Sequence, residues 1–90
     1  MGSVSIEDAL KVGALIEETD IRDLKERLEQ TDNEDVKLVF QNLLCGSENH
    51  LRAFIRLLKA YGIEYSPQVL SQEEFDEIVN TDSTKCGLNL

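Results

Sequence analysis

Hydrophobic and polar positions alternate with helical spacing from residue 6 to about residue 30. On a helical wheel, the apolar positions of this segment fall within about 40° of Glu17. Ser5 stands directly before them, where an N-cap belongs. The pattern predicts an amphipathic helix whose apolar stripe consists of Ile6, Leu10, Gly13, Ile21, Leu24 and Leu28. Its exposed faces are predicted to carry the i,i+4 ion pairs Glu7–Lys11, Glu18–Arg22 and Asp23–Arg27.

A second apolar pattern follows a short polar break in which Thr31 and Glu34 have capping-box spacing. It predicts a helix from about Asn33 to Tyr61, ended by Gly62 in a left-handed conformation. Because the break is short, the two helices should be antiparallel neighbours. The stripe of the second helix comprises Val36, Val39, Phe40, Leu43, Phe54, Leu57 and Tyr61, flanked by Leu44, Leu51, Ile55 and Leu58.

The remaining residues predict a short third helix and a tail. Ser71 begins another capping box, and a helix should run from there to about Val79. We therefore expect a single domain over residues 1–90, in which residues 5–62 form the hairpin, residues 63–79 a turn and the short helix, and residues 80–90 a flexible tail.

The width of the second stripe, roughly 160°, is more than one neighbouring helix covers. The predicted fold is therefore all-α: a long antiparallel helical hairpin plus a short C-terminal helix, which pairs as a homodimer into a four-helix bundle. The alternative is a monomer in which residues 63–79 fold back over the stripe.

Composition narrows the classes of partner. The chain has 18 acidic and 9 basic residues and a formal net charge of −9, which argues against nucleic acid and anionic membrane surfaces as partners. No apolar run is long enough to span a bilayer, and no signal peptide is recognisable. Cys45 and Cys86 lack metal-type spacing, so we expect reduced thiols, with Cys45 a small buried side chain, and a cytoplasmic protein.

Three polar residues occupy positions on the apolar stripes. Glu17 lies at the centre of the first stripe, and Ser47 and His50 lie on the second, at the same level of the antiparallel hairpin. A buried carboxylate needs a partner, so Glu17 and His50 are predicted to be buried and in contact. They form either a structural ion pair or a metal site completed by symmetry in a dimer. Gly13 and Gly46 are predicted to allow close helix packing.

Four segments also carry a resemblance to a known family. They are residues 8–18 (DALKVGALIEE), 31–35 (TDNED), 46–54 (GSENHLRAF) and 70–75 (LSQEEF). In order and spacing they resemble an uncharacterised archaeal and bacterial family of ferritin-like proteins, of which this chain matches the second helical hairpin. The resemblance implies that the first hairpin is replaced by a second copy of this chain or by a separately encoded hairpin.

The same resemblance suggests residue roles. Glu17 matches the helix glutamate of ferritin-like proteins, and His50 matches the histidine of their Glu-x-x-His motif, whereas Ser47 replaces that motif's glutamate. The predicted function is that of a half-length ferritin-like protein that binds iron, zinc or manganese through Glu17 and His50 in the core of a dimer. The alternative is a metal-free helical interaction module with a buried Glu–His pair. No catalytic residue is predicted.

Overall fold

The protein consists of three α-helices in a computed structural model that describes residues 5–82 and Cys86. The first helix, α1, spans Ile6–Gln30, the second, α2, spans Glu34–Ala60, and the third, α3, spans Gln72–Val79. The long helices α1 and α2 pack against each other, and α3 packs on α2. No strand occurs in the described residues. The all-α prediction of two long paired helices and a short third helix is therefore confirmed.

Side-chain caps fix where the helices begin. The Ser5 and Ser71 hydroxyls each accept a hydrogen bond of 3.1 Å from the backbone N–H three residues later, as predicted. The N-cap of α2 is Asn33, whose Oδ1 accepts from the N–H of Val36 at 3.1 Å. Thr31, predicted to cap α2, instead accepts from the N–H of Asn33 at 3.2 Å and stabilises the connection between the helices.

The C-terminal end of α2 follows the predicted glycine motif. Gly62 has a φ of 73°, which a residue without a Cβ adopts without strain. The N–H of Ile63 reaches back to the carbonyl of Leu58 at 2.9 Å, as in a Schellman motif. The chain therefore leaves α2 sharply and turns back along the hairpin.

The core lies on one side of the α1–α2 hairpin, beneath α3 and the segment that precedes it. Its buried apolar residues are Ala14, Ile21, Leu51, Ile55, Leu58, Leu70, Phe75 and Ile78. On α2 these are the predicted flanking residues and not the centre of the stripe. The reason is that residues 63–79 cover one flank of the stripe, so part of the alternative in which this segment folds back over the hairpin is realised.

Two polar contacts tie α3 to the long helices. The Lys25 ammonium on α1 pairs with the Glu74 carboxylate at 2.6 Å. Arg52 on α2 donates from Nε to the carbonyl of Ile78 at 2.8 Å, near the C-terminal end of α3. The predicted pair between Glu7 and Lys11 is present at 2.9 Å, but it links residues of the same helix and does not position α3.

The two cysteines form a disulfide, which contradicts the expectation of reduced thiols. Cys45 of α2 is bonded to Cys86, 41 residues later, with the Cα atoms 5.7 Å apart. The argument for a cytoplasmic location from unpaired thiols therefore loses its basis. The predicted flexible tail is only partly described, because residues 83–85 and 87–90 lie outside the described residues.

The opposite side of α2 exposes a continuous apolar stripe, which we call the open face. Its members follow helical spacing and are Val36, Val39, Leu43, His50, Leu57 and Tyr61. All are solvent-exposed, although most were predicted to form the centre of the buried stripe. No helix in the described part of the chain is long and apolar enough to cross a bilayer.

Candidate functional site

Glu17 of α1 and His50 of α2 are in contact, as the sequence predicted. The His50 Nδ1 atom lies 3.4 Å from Glu17 Oε2, and the Ser47 side chain is near enough to the Glu17 carboxylate to lower its pKa. The antiparallel packing of α1 and α2 brings the three residues to one level. Ser47 and His50 are three positions apart on α2 and therefore lie on the same side of that helix.

The two members of this pair differ in burial. The Glu17 side chain is 13% exposed, whereas the His50 side chain is 68% exposed. The prediction that both are buried is therefore wrong for His50. Because α3 covers only the other side of the hairpin, the imidazole belongs to the open face. A group that approaches the open face meets the imidazole first and the carboxylate behind it.

The environment of Glu17 raises the pKa of its carboxyl above the ordinary value. Burial is the largest cause, because it removes water from the charged form. The nearby His50 opposes this effect, the negative charge of Asp20 reinforces it, and the hydrogen bond from Ser47 opposes it. The carboxylate is therefore only partly compensated by the protein around it, and a positive ion beside it would be stabilised.

A cleft of about 580 Å³ opens beside the pair, between α1 and α2. Glu17, Ser47 and His50 line it together with Gly46 and Asn42. The Asn42 Oδ1 atom is buried and has no hydrogen-bond partner in the described part of the chain. The cleft therefore offers the side-chain oxygens of Glu17, Ser47 and Asn42 and one imidazole. The rest of its wall carries charged as well as apolar side chains, among them Asp20, Asp23, Arg27, Leu24 and Leu43.

The two glycines within the long helices, Gly13 and Gly46, have different surroundings. A Cβ on Gly13 would lie 2.5 Å from the Phe54 ring, so this glycine permits close packing of α1 on α2, as predicted. A Cβ on Gly46 would meet nothing within 4 Å. The prediction of close packing is therefore wrong for Gly46 within this chain. Its missing side chain leaves space in the cleft instead.

Among the described residues the fully buried carboxylate is Glu18, which the sequence predicted on an exposed face paired with Arg22. Its side chain has 0% exposure. One oxygen or both accept from the backbone N–H groups of Gln68 at 3.1 Å, Val69 at 3.0 Å and Leu70 at 2.9 Å, and Oε2 also accepts from the Tyr65 hydroxyl. Glu18 therefore holds the segment before α3 against the hairpin, a structural role that sequence reasoning missed.

The surroundings of the Tyr65 hydroxyl change its pKa. Burial raises the pKa of Tyr65 well above its ordinary value, and the hydrogen bond to the negatively charged Glu18 raises it further. The Tyr65 ring also packs near Phe75 of α3, with 5.9 Å between ring centroids.

The burial of Glu18 does have a signal in the sequence. Glu18 lies four positions after Ala14 and three before Ile21, so it shares their side of α1.

The donor set at Glu17 and His50 fits a transition metal in kind, since carboxylate oxygen and imidazole nitrogen bind zinc, iron and manganese. Within residues 5–82 and Cys86, however, no three His, Cys, Asp or Glu side chains converge into a complete metal-binding group. One chain therefore supplies part of a site, and further ligands have to come from elsewhere.

Comparison with known proteins assigns the chain to a family. Residues 1–82 match the family model described as Uncharacterized protein domain (DUF2202). The chain belongs to this family. It is 53% identical over 88 residues to the Uncharacterized protein MJ0754 of Methanocaldococcus jannaschii, a match that covers 98% of this chain and 47% of that protein.

The crystal structure of this archaeal relative, described as a hypothetical protein, superposes with a TM-score of 0.86 at 52% identity, over 89% of this chain and 46% of the other. The chain thus spans about half the length of the relative it matches. These findings confirm the resemblance to an uncharacterised family with an archaeal member, and neither of them describes the family as ferritin-like.

Proposed function

We propose that this DUF2202 protein is a half-length ferritin-like chain that binds a transition metal ion, iron, zinc or manganese, through Glu17 and His50 in the core of a dimer. The observation that carries the proposal is the contact between a carboxylate and an imidazole from facing helices, 3.4 Å apart, inside a cleft on an exposed apolar face. Helical bundles hold metals with these two kinds of ligand on facing helices.

The open face supports the dimer. Leu43 and Leu57 lie on either side of His50 along α2 and are both exposed. A second copy that packs on this face would bury the stripe and bring a second Glu17 and His50 to the same region by symmetry. A separately encoded hairpin is the other proposed occupant.

The available ligands favour a site for one metal ion over a site for two bridged metal ions. Ser47 offers a neutral hydroxyl where ferritin-like proteins place a bridging glutamate, and a neutral hydroxyl binds metals weakly at pH 7. Two Glu17 carboxylates and two His50 imidazoles form a four-ligand set that suits one zinc or ferrous ion. The bound ion would neutralise the Glu17 charge, which the protein leaves partly uncompensated.

The second candidate function is a metal-free helical interaction module. It is favoured by the nearby Ser47 side chain, which lowers the pKa of Glu17 and so stabilises part of the carboxylate charge without an ion. In this case the Glu17–His50 pair fixes the register of α1 against α2, and the open face receives the partner.

The test of metal binding is a titration of chelator-treated protein with zinc and with ferrous iron, read by calorimetry and elemental analysis. We expect binding with one ion per dimer that is lost in Glu17→Gln and in His50→Ala. Ser47→Glu should strengthen iron binding, because it creates a Glu-x-x-His motif. Glu26→Gln, an exposed carboxylate of α1, is the control that should bind as the wild type does. Unchanged binding in His50→Ala would refute the metal site, and no binding at all would favour the interaction module.

The test of assembly uses two exposed leucines of α2 with nearly equal exposure. Leu43 belongs to the open face and is 51% exposed, whereas Leu38 lies on another side of α2 and is 52% exposed. Sedimentation equilibrium at micromolar concentration should show a dimer for the wild type and Leu38→Glu, and a monomer for Leu43→Glu. A folded monomer in all three proteins would contradict the dimer.

A further inference from the structure

The open face of α2 also contains three small residues. They are Gly46, Ala53 and Ala60, and none of them is buried. Together with the exposed apolar residues and His50, they occupy positions separated alternately by three and four residues, which is the heptad spacing of a helix that packs along a second helix. We call this set the seam: Val36, Val39, Leu43, Gly46, His50, Ala53, Leu57 and Ala60.

The seam is accessible and carries little charge. A Cβ at Gly46 would meet no atom of the described residues within 4 Å. His50 is the titratable residue of the seam, and the heptad positions that flank it on the side away from α1 carry one acidic residue, Asp35, and one basic residue, Arg56. Because the chain has a net charge of −9, much of its surface repels a second copy, whereas this strip does not.

Large and small residues alternate along most of the seam. Leu43, His50 and Leu57 recur every seven residues, and the three small residues recur with the same period between and after them. In a parallel pair of helices each residue faces its own copy, so that leucine meets leucine and glycine meets glycine, which crowds some layers and leaves voids in others. In an antiparallel pair the larger residues can face the smaller ones, and the layers fill evenly.

We propose that a second copy of this chain packs on the seam with its α2 antiparallel, in the register that sets residue 43 opposite residue 53. The two-fold axis then passes beside residue 48, near the middle of α2. In this register each layer combines a larger residue with a smaller one: Val36 with the partner's Ala60, Leu43 with the partner's Ala53, His50 with the partner's Gly46, and Leu57 with the partner's Val39.

This register brings the second copy to the candidate metal site. The His50 side chain is mostly exposed, and in the dimer it covers the partner's Gly46, a residue that lines the same cleft as Glu17 in each chain. The two imidazoles are offset by four residues, about 6 Å along the helix axis, so both stay at the centre of the dimer. The inference rests on the dimer of the proposed function and specifies its orientation and register.

A double-mutant cycle tests the register, with the dissociation constant of the dimer measured by sedimentation equilibrium of the full chain. Ala53→Leu sets a leucine against the partner's Leu43, and Leu43→Ala leaves a void, so each should raise the dissociation constant by about tenfold or more. The combined variant exchanges large and small residues within one layer and should return to within about threefold of the wild type. Positions 43 and 53 lie about 15 Å apart along one helix, so this recovery requires contact between copies.

Ala60 provides the matched control, because it is also a small seam residue but faces the partner's Val36. Ala60→Leu should weaken the dimer, and its effect should add to that of Leu43→Ala. Recovery with Ala60→Leu in place of Ala53→Leu would overturn the register. Circular dichroism checks that the helices form in every variant, and the milder Ala53→Val replaces Ala53→Leu if the leucine variant does not fold.

The failure of this inference is distinguishable from failure of the proposed function. If Leu43→Glu disrupts the dimer but the effects of Leu43→Ala and Ala53→Leu are additive, the open face remains the interface and the register is refuted. Recovery in the combined variant without metal uptake supports the register and refutes the metal site alone. A wild type that stays monomeric at every concentration overturns the inference together with the dimer.

Discussion

Glu17 and Glu18 are consecutive carboxylates on α1 in opposite environments. Glu18 faces the covered side of the hairpin, is fully buried, and accepts hydrogen bonds from Tyr65 and from the N–H groups of three successive residues. Glu17 faces the cleft beside the open face, contacts an exposed imidazole, and has a raised pKa because its burial is incompletely compensated.

The difference shows how to separate a structural carboxylate from a candidate ligand. A buried charge whose lone pairs are all occupied by the protein's own donors stabilises the fold and has no capacity for a further ligand. A carboxylate that is desolvated but only partly compensated remains able to bind a cation. Residue type and burial alone do not distinguish these cases, whereas the number and source of the donors do.

The largest difference between the two carboxylates is expected in the free energies of unfolding of Glu18→Ala and Glu17→Ala. Removal of the Glu18 carboxylate leaves the N–H groups of residues 68–70 and the Tyr65 hydroxyl without their acceptor, and we expect a loss of about 3–5 kcal/mol in the free energy of unfolding. Glu17→Ala should lose no more than about 1 kcal/mol in metal-free protein. Urea denaturation followed by circular dichroism measures both.

If Glu18→Ala does not fold, Glu18→Gln provides the milder variant. Its amide retains one acceptor oxygen but turns a donor toward other donors, so a smaller loss is expected, still greater than that of Glu17→Gln. Equal losses at positions 17 and 18 would break the comparison.

Glu17 and Glu18 also show which features of the structure could be predicted from the sequence. The helices, their caps at Ser5 and Ser71, and the glycine end of α2 follow from local patterns, and the structure agrees with them. Glu17 and Glu18 differ by only about 100° on the wheel. Which of them is buried depends on where residues 63–79 dock, and that contact joins positions about 50 apart in the chain.

The disulfide escaped prediction for a related reason. Two cysteines that are 41 residues apart carry no local signal of pairing, and their proximity depends on the path of the chain after α3. The contact between Glu17 and His50 was predictable because an antiparallel hairpin with a short connection fixes the level at which residues of α1 and α2 meet.

The next test concerns the hydroxyl that faces Glu18. Tyr65→Phe removes a hydrogen bond to a charged acceptor, and the expected loss in the free energy of unfolding is about 1.5–3 kcal/mol. A double-mutant cycle with Glu18→Gln should show coupling between the two residues. Additive losses would show that the hydrogen bond contributes little and would weaken the assignment of Glu18 as a fully satisfied carboxylate.

The raised pKa of Tyr65 also makes the stability of the folded protein depend on pH in the alkaline range. Because folding raises the pKa of Tyr65, its protonated form is favoured in the folded state, and this stability is present below the ordinary tyrosine pKa and lost as pH rises above it. Denaturation curves between neutral and strongly alkaline pH should therefore show a steeper fall for the wild type than for Tyr65→Phe. Parallel falls would contradict the raised pKa.

A smaller effect is expected from the two helical glycines, one in a close contact and one at the cleft. Gly13→Ala places a methyl group against the Phe54 ring and should cost about 1–2 kcal/mol, since overpacking outweighs the gain in helix propensity. Gly46→Ala meets open space and should stabilise the isolated chain by about 0.5–1 kcal/mol. Thermal denaturation of both variants checks the opposite signs, and a loss in Gly46→Ala under monomeric conditions would contradict the open cleft.

The smallest effect is expected for Glu17→Gln in metal-free protein. Because folding raises the pKa of Glu17, its charged form is disfavoured in the folded state, and its contribution to stability falls as pH rises from the ordinary carboxyl pKa toward neutrality. The amide removes this dependence, so Glu17→Gln should equal or exceed the wild type at pH 7 by up to about 1 kcal/mol. A clear loss of stability at pH 7 would show that the Glu17 charge is structural.

The hydrogen bonds of Glu18 have a consequence for the dynamics of the segment before α3. The amides of Gln68, Val69 and Leu70 lie outside regular secondary structure, yet their acceptor is buried and belongs to α1. Exchange of these amide hydrogens with deuterated solvent therefore requires residues 63–79 to separate from the hairpin. That separation opens the core. The slowest-exchanging amides of the molecule should accordingly include three consecutive loop residues, and the loop and the hairpin should unfold as one cooperative unit.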